Sequence, residues 1–274
     1  MRSLLLSIIS ALGLSLSASA FNVLDINVFS ESMQKDIPVT VVTPENYDAG
    51  SSFPVLYLLH GYSDNNRAWV DKTDVENLSD AYGIILVMPD GGYDSWYFDS
   101  KTTPEYQYET FVSSELVTYI DKNFKTIKDR KGRAITGLSM GGHGAMHTAI
   151  KHQDLFGAAG TTSGGVDFRP FTESWHIARR LGTYQENPEA WEKNTVINLT
   201  HLLTPESLDI IIDCGVEDFF YEVNCNLHEK LLKEGIPHDF LVRPGKHNWA
   251  YWSNSIKYQM LFFNNFFSKG MKVS

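Results

Sequence analysis

Short apolar runs rich in β-branched residues alternate with longer stretches of helical periodicity along most of this chain. Such runs predict strands, and the middle ones are apolar throughout, as is typical of strands covered on both faces of a sheet. No helical stretch separates the first two runs, so we expect an antiparallel hairpin at one edge of the sheet. The predicted strands are 23–29, 39–43, 55–59, 84–88, 133–136, 157–161, 208–213 and 240–242.

Apolar residues at helical spacing mark the longer stretches between the strands. Thr103 as N-cap and Pro104 in the first turn are predicted to begin one helix, and a further helix is expected from about Gly142. Gly235 and Gly270 are predicted to end two others. The three longest predicted helices are 104–124, 222–234 and 249–267.

This order of elements predicts an α/β protein with a mostly parallel central sheet of about eight strands and helices on both faces. Segment 166–205 interrupts the alternation, because it has mixed helical character and contains Trp175 and Trp191. We expect it to be a small insertion over one end of the sheet.

Composition narrows the range of partners. The chain has 274 residues, 43% of them hydrophobic and 20% charged, which is enough for one large α/β core in a single domain. Its 33 acidic and 23 basic residues give a net charge of −10, with no basic cluster. Nucleic acids and anionic membranes are recognised by clustered Lys and Arg, so we expect neither as a partner. The composition leaves the oligomeric state open.

The first twenty residues differ from the rest of the chain. Arg2 precedes an apolar run over 4–16, and the small residues Ala18, Ser19 and Ala20 follow. This pattern is typical of a secretory signal peptide cleaved after Ala20, and the run is too short for a comfortable membrane span. We therefore expect a secreted or periplasmic protein without stable membrane insertion, with a retained anchor as the alternative.

Two cysteines, Cys214 and Cys225, are too few for a disulfide scaffold or a four-cysteine metal site. Two buried thiols and a single disulfide both remain open. His143 and His147 stand four residues apart, as in a helical zinc site, but the Glu of a His-Glu-x-x-His motif is absent. We expect neither a metal nor another cofactor.

The strongest chemical signal is the pentapeptide Gly137-Leu138-Ser139-Met140-Gly141, between a predicted strand and a predicted helix. A sharp turn in that context projects a serine hydroxyl clear of the sheet, and the glycines let strand and helix approach closely. Ser139 is therefore the candidate nucleophile.

A serine nucleophile needs a base and an orienting acid, which follow it in the order acid, then histidine, in this type of fold. Asp218 lies just beyond a predicted strand and is the candidate acid. Asp213 and Glu217 compete with it, but Asp213 lies in the strand end, where we expect it to bind loop amides. His247 is the candidate base, because it lies in a short loop between the last strand and the last helix.

Attack on a carbonyl produces an oxyanion, which backbone N–H groups can stabilise. The N–H of Met140, which follows the nucleophile, is one candidate donor. The second is expected from the loop after strand 55–59, where Gly61 lets an amide turn into the site, and Tyr62 is our choice. We expect His60 to shape the same loop.

These motifs, including Leu59-His60-Gly61 and Gly245-Lys246-His247-Asn248-Trp249, resemble those of the esterase D family of α/β-hydrolases. That family includes tributyrin, feruloyl and acetylxylan esterases, S-formylglutathione hydrolases and the antigen 85 mycolyltransferases. The resemblance spans roughly 21–267. It implies a triad of Ser139, Asp218 and His247, an oxyanion hole from Tyr62 and Met140, and a lid over 166–205.

The expected function is that of a secreted serine carboxylesterase acting on short-chain or aromatic acyl esters, with a small-molecule or carbohydrate alcohol such as a plant polysaccharide. Trp96, Tyr97, Trp175 and Trp249 are candidate substrate-binding residues, because aromatic side chains suit neutral, planar ligands. Packing within the protein is the alternative role of these side chains. An acyltransferase of the antigen 85 type and a non-catalytic carbohydrate-binding module are the alternative functions.

Overall fold

A computed structural model describes residues 22–49 and 51–271, so the predicted signal peptide lies outside the described residues. Eight strands form one sheet in the order β1-β2-β4-β3-β5-β6-β7-β8. β2 is antiparallel to both of its neighbours and all other pairs are parallel, which confirms the predicted edge hairpin and the mostly parallel sheet. The strands are β1 (Asn22–Ser30), β2 (Lys35–Thr43), β3 (Val55–Leu59), β4 (Ile85–Pro89), β5 (Arg133–Gly137), β6 (Ala158–Thr162), β7 (Asp209–Gly215) and β8 (Asp239–Arg243).

Helices cover both faces of this sheet, as predicted. Helix α10 packs its apolar stripe on one face, together with α1 and α2, while α4, α5 and α9 pack on the other. The helices are α1 (Ala68–Lys72), α2 (Val75–Tyr82), α3 (Tyr108–Thr110), α4 (Val117–Asn123), α5 (Met140–Lys151), α6 (Ile177–Leu181), α7 (Pro188–Asn194), α8 (Val196–Leu199), α9 (Tyr221–Lys233) and α10 (Trp249–Met271), with a π-helical stretch, Phe111–Leu116, joining α3 to α4.

The helix predicted over 104–124 begins later than expected, at Tyr108. Thr103 and Pro104 lie instead in a turn in which Tyr106 N–H donates to the Thr103 carbonyl and Ser100 N–H to the Tyr106 carbonyl. The prediction of Thr103 as N-cap is wrong, because the preceding backbone pairs across this turn and cannot join the helix.

Among the described residues, no helix is both long and apolar enough to cross a bilayer.

The predicted insertion, 166–205, contains the short helices α6, α7 and α8. A buried ion pair docks it on the loop that follows β4, since Arg180 Nη2 donates to Asp94 Oδ1 over 2.5 Å. Phe168 and Trp191 are fully buried and extend the core beneath this segment. We call 166–205 the lid segment below.

Candidate active site

The turn between β5 and α5 holds Ser139 in a backbone conformation that few residues other than glycine adopt. Its φ is 53° and its ψ is −117°, and α5 begins at the next residue. A Cβ on Gly137 would lie 2.6 Å from the Gly141 carbonyl, and one on Gly141 would lie 2.5 Å from the carbonyl oxygens of Leu59 and His60. These contacts are with backbone atoms, which no rotamer change can relieve, so the turn requires both glycines.

Three side chains from distant parts of the chain form one hydrogen-bonded row. His247 Nε2 lies 2.9 Å from Ser139 Oγ, and His247 Nδ1 lies 2.9 and 3.0 Å from the two carboxylate oxygens of Asp218. A neutral imidazole that donates its Nδ1–H to the carboxylate leaves the Nε2 lone pair to accept the serine hydroxyl. The structure thus brings together the three residues selected from the sequence, although 108 residues separate Ser139 from His247.

The loop after β7 presents Asp218 and turns Glu217 away. Asp218 is 6% exposed, and Phe220 N–H donates to its Oδ1 over 2.8 Å. Glu217 N–H donates to the Gly245 carbonyl over 2.9 Å, which ties this loop to the loop that carries His247. The Glu217 side chain is exposed and lies 3.6 Å from Lys246 Nζ. Glu217 therefore takes no part in the row.

Asp213, the other competing carboxylate, is fully buried behind the site. It accepts hydrogen bonds from Arg243 Nη2 over 2.7 Å and from the Tyr251 hydroxyl over 2.5 Å. Burial raises the pKa of Asp213, and these two donors oppose that shift. The expectation that the Asp213 side chain binds loop amides is wrong, because its two carboxylate oxygens are bound by Arg243 of β8 and Tyr251 of α10 instead.

Two backbone N–H groups close to Ser139 make no hydrogen bond with another described residue, those of Met140 and Tyr62. Met140 is the first residue of α5, so its N–H lies at the positive end of that helix. Tyr62 follows Gly61, and a Cβ on Gly61 would lie 3.4 Å from Ser139 Cβ. Both predicted oxyanion donors are thus unpaired amides beside the serine.

His60 fixes the loop that carries Tyr62. Its Nδ1–H donates to the Gly61 carbonyl over 2.8 Å, and its Nε2 accepts from Gly91 N–H over 2.7 Å. The Tyr97 hydroxyl donates to the His60 carbonyl over 3.2 Å. His60 therefore ties the loop after β3 to the loop after β4, consistent with the role expected from the sequence.

A comparison with protein families gives a match to the family model described as "Putative esterase" over residues 30–263. The chain belongs to this esterase family.

Several individual proteins are similar to this chain. An acetyl esterase from Caldicellulosiruptor saccharolyticus is 27% identical over 254 residues, which cover 85% of this chain and 95% of that protein. The diacylglycerol acyltransferase/mycolyltransferase Ag85B from Mycobacterium leprae is 28% identical over 289 residues, covering 90% of this chain and 86% of that protein. Esterase Rv1288 from Mycobacterium tuberculosis is 38% identical over 135 residues, but the match covers only 48% of this chain and 30% of that longer protein.

Solved structures show that the chain has the α/β-hydrolase fold. A ferulic acid esterase superposes with a TM-score of 0.78 at 29% identity, covering 90% of this chain and 98% of that chain. The fluorophosphonate-binding serine hydrolase FphF from Staphylococcus aureus superposes with a TM-score of 0.80 at 22% identity, covering 89% and 98%, which establishes the fold alone. The α/β-hydrolase fold expected from the sequence is thus confirmed.

Two of the aromatic residues that the sequence suggested as substrate-binding are buried in the structure. Trp96 is 1% exposed and Tyr97 is fully buried, and both have a positive φ, 53° and 58°. Trp96 Nε1–H donates to the Trp175 carbonyl, and the Tyr97 ring packs against Gly144 of α5. Their expected substrate-binding role is therefore corrected, because the loop after β4 turns both rings inward, Trp96 against Phe168 of the lid segment and Tyr97 against α5.

Another pair of aromatic rings forms the rim beside His247. Trp175 of the lid segment is partly exposed and stacks on Phe219, with ring centroids 5.5 Å apart and an angle of 20°. Phe219 is 50% exposed, and its centroid lies 4.2 Å from that of His247. Sequence analysis missed Phe219, although its position directly after the candidate acid was a usable signal. Trp175 is thus placed where a substrate could contact it.

Trp249 and Trp252 lie on the opposite side of His247. Trp249 is partly buried and packs edge-on against Trp69, with centroids 5.2 Å apart. Trp252 was not selected from the sequence, yet its ring centroid lies 4.9 Å from that of His247, and its Nε1–H donates to Ser163 Oγ over 3.1 Å. Trp252 contacts the imidazole of His247, whereas Trp249 packs against Trp69 instead.

The residues weighed as metal ligands or redox groups lie outside the row. His143 and His147 are fully buried, with stacked rings 5.4 Å apart. Within residues 22–49 and 51–271, no three His, Cys, Asp or Glu side chains are grouped so that they could hold a metal ion. Cys214 and Cys225 are both free thiols, and burial raises the pKa of the Cys214 thiol.

Proposed function

We propose that this protein is a serine carboxylesterase that works through an acyl-enzyme on Ser139. The observation that carries the proposal is the row Ser139–His247–Asp218, with 2.9 Å between the serine oxygen and the imidazole. Such a row activates a serine hydroxyl, which is otherwise a weak nucleophile.

In the proposed mechanism, Ser139 Oγ attacks the ester carbonyl carbon while His247 Nε2 takes the hydroxyl proton. Asp218 holds the imidazole by its Nδ1–H and stabilises the positive charge that it acquires. The negative charge on the carbonyl oxygen is accepted by the N–H groups of Met140 and Tyr62.

The tetrahedral intermediate then collapses, and the alcohol leaves with the proton from His247. Water repeats the sequence on the acyl-enzyme: His247 takes one water proton, the hydroxide oxygen bonds to the acyl carbon, and the carboxylic acid leaves as Ser139 recovers its proton.

The decisive experiment is turnover of p-nitrophenyl acetate by Ser139→Ala. We expect kcat to fall by at least about 10³-fold with the melting temperature retained, because no other group can form the acyl-enzyme. Ser253→Ala, a partly buried serine on α10 that is not part of the row, is the matched control and should keep wild-type turnover. Wild-type activity in Ser139→Ala would overturn the mechanism, whereas a wild type without turnover would reopen the interpretation as a non-catalytic carbohydrate-binding module.

We infer that the acyl group is short or aromatic. The stacked pair Trp175 and Phe219 beside His247 favours planar groups, and the acetyl esterase and ferulic acid esterase among the similar proteins have names that point the same way. A panel of acetyl, butyryl and feruloyl esters, including acetylated and feruloylated plant polysaccharide fragments, tests this. A preference for long-chain acyl esters would contradict it.

An acyltransferase is the second candidate function, because the similarity to Ag85B covers 90% of this chain. Its chemistry is identical up to the acyl-enzyme and differs only in the acceptor. Product analysis with added alcohol or sugar separates the two: hydrolysis gives the free acid, whereas transfer gives a new ester at the expense of the acid.

We also propose that the chain is exported after cleavage behind Ala20. Expression in a secreting host followed by mass spectrometry should give a mature protein that starts at Phe21. Retention of Met1 on an exported protein would favour the membrane anchor instead.

A further inference from the structure

Two adjacent residues of the lid segment, Trp175 and His176, reach both sides of the candidate active site. Both have a left-handed backbone conformation, with φ of 49° and 57°. Residues other than glycine keep this conformation only where surrounding contacts hold it. The Trp175 ring stacks on Phe219, which lies beside His247. The His176 ring lies against Tyr62, on the oxyanion side, with centroids 5.9 Å apart.

A buried carboxylate orients His176. Its Nδ1 lies 3.2 Å from Asp94 Oδ2 and 3.2 Å from the Tyr62 hydroxyl, so one N–H is shared between the carboxylate and the phenol oxygen. Asp94 is 2% exposed, and its other oxygen accepts from Arg180. Arg179 Nη1 also lies 3.9 Å from Asp94 Oδ2. The Nδ1 side of the imidazole is therefore held by Asp94 and Tyr62 together.

The contact between His176 Nδ1 and the Tyr62 hydroxyl also restrains the Tyr62 side chain. Its ring packs edge-on against Tyr93, with centroids 4.9 Å apart, and the next residue, Ser63, donates its N–H to the Tyr93 carbonyl over 2.8 Å. Gly61, on the other side of Tyr62, has no side chain to fix the direction of the peptide. The Gly61 carbonyl, in the same peptide as the Tyr62 N–H, accepts from His60 Nδ1–H over 2.8 Å and from Asp64 N–H over 3.2 Å. The Tyr62 side chain adds a second restraint on the direction of this N–H, from the side of the lid segment.

We propose that His176 is a positioning residue for the oxyanion hole, acting through the hydroxyl of Tyr62 and oriented by Asp94. The inference rests on the proposed function, since it assigns the Tyr62 N–H to the reacting carbonyl oxygen. It adds that the lid segment supports the catalytic apparatus: His176 holds the Tyr62 side chain and so restrains the oxyanion donor from a second side, in addition to the contact that His60 makes with the Gly61 carbonyl. The contact matters most when charge develops on the oxygen, so its loss reduces kcat more than substrate binding.

The test uses His176→Ala, Tyr62→Phe and their double variant in the full-length protein. We expect each single variant to lower kcat for p-nitrophenyl acetate about tenfold, less than the loss of a whole oxyanion donor, with KM changed less than about twofold. The double variant should be no slower than Tyr62→Phe alone, because both changes break one contact. Glu173→Ala, an exposed change in the same lid segment, is the control and keeps wild-type kcat.

A conservative variant and an inhibitor separate positioning from general structural damage. His176→Asn keeps an N–H at the place of Nδ1 and tolerates the left-handed backbone, so it should recover most of the activity lost in His176→Ala. A trifluoromethyl ketone, which forms a tetrahedral adduct on the serine, should bind His176→Ala about tenfold more weakly, in step with kcat.

Unchanged kcat and unchanged inhibitor affinity in His176→Ala would overturn the inference, as would a change in KM alone or full additivity in the double variant. If His176→Ala does not fold, Tyr62→Phe and His176→Asn decide the question, because Tyr62→Phe keeps the aromatic ring and His176→Asn tolerates the left-handed backbone. These outcomes presuppose an active wild type. A wild type that does not hydrolyse esters, or an active Ser139→Ala, would instead refute the proposed function.

Discussion

Two stacked histidines beneath the nucleophile should make this protein acid-labile. His143 and His147 lie on α5 and are fully buried. Burial lowers the pKa of His143 to about 4 and that of His147 to about 3. His143 Nε2 lies 2.8 Å from the Asn194 carbonyl and Nδ1 lies 3.2 Å from the Trp96 carbonyl, and the neutral ring donates to one of them; neither ring nitrogen of His147 has a hydrogen-bond partner among the described residues. Both rings are therefore neutral in the native protein at neutral pH.

The size of the effect follows from the difference between folded and unfolded pKa values. Unfolded histidine binds a proton below about pH 6.5, whereas the native rings stay neutral down to about pH 4. The unfolded state thus binds more protons in this window, so stability is complete above pH 6.5 and falls as the pH drops. Between pH 7.5 and pH 5 each histidine should lower the free energy of unfolding by about 2 kcal/mol, and the pair by about 4 kcal/mol.

Urea unfolding from pH 7.5 to pH 5 tests this with His147→Leu, which removes one titrating ring and keeps an apolar side chain. Between pH 6 and pH 5 the free energy of unfolding should change with pH less steeply in the variant, by about 1.4 kcal/mol per unit. His201→Ala, an exposed histidine, is the control and should keep the wild-type slope.

Glu109 supplies the opposing effect that could refute this reasoning. Its carboxylate lies 3.9 Å from His147 Nδ1. Burial raises the pKa of Glu109, but hydrogen bonds from His152 and Lys151 outweigh it and the pKa falls to about 2. A charged Glu109 could hold His147 protonated in the native state. An equal or steeper pH dependence in His147→Leu would show that it does.

Three further predictions concern the site and its support. Asp218→Asn should lower kcat about 10⁴-fold with little change in KM, because the imidazole loses its preferred tautomer; a loss below tenfold in steady-state assays would contradict this role. Gly141→Ala should lower the free energy of unfolding by at least about 3 kcal/mol in urea unfolding, since the Cβ of the alanine would lie 2.5 Å from backbone oxygen atoms. Gly235→Ala, which has open space around it, should lose only about 1 kcal/mol, and equal losses would refute the steric argument. Arg243→Met should lower the free energy of unfolding by about 3–5 kcal/mol, because Asp213 is left buried without its ion-pair partner. Adding Asp213→Asn should restore part of the lost stability. An unchanged melting temperature in Arg243→Met would exclude the ion pair as a stabilising contact.

The features that sequence analysis predicted well are those encoded within a few adjacent residues. Five-residue apolar runs gave the buried strands, and the pentapeptide around Ser139 gave the turn, because period, length and glycine position are local properties. The positions of Asp218 and His247 followed from their place after strands, since the carboxyl ends of parallel strands meet at one edge of the sheet.

The features that it missed depend on contacts between distant segments. Nothing local distinguishes Trp96, which turns inward, from Phe219, which stays half-exposed beside His247. Burial there is decided by how the loop after β4 meets the lid segment. The late start of the helix at Tyr108 has a similar cause, because the turn that precedes it is held by its own backbone pairing.

The backbone hydrogen bond from Glu217 to Gly245 joins the loop of the acid to the loop of the base. Those two loops therefore move as one body against the strand-to-helix turn that bears the serine. Thermal motion in this region should vary the gap between hydroxyl and imidazole while leaving the imidazole–carboxylate pair intact. Transplanting the catalytic residues into another scaffold would accordingly succeed only if both loops were transferred together.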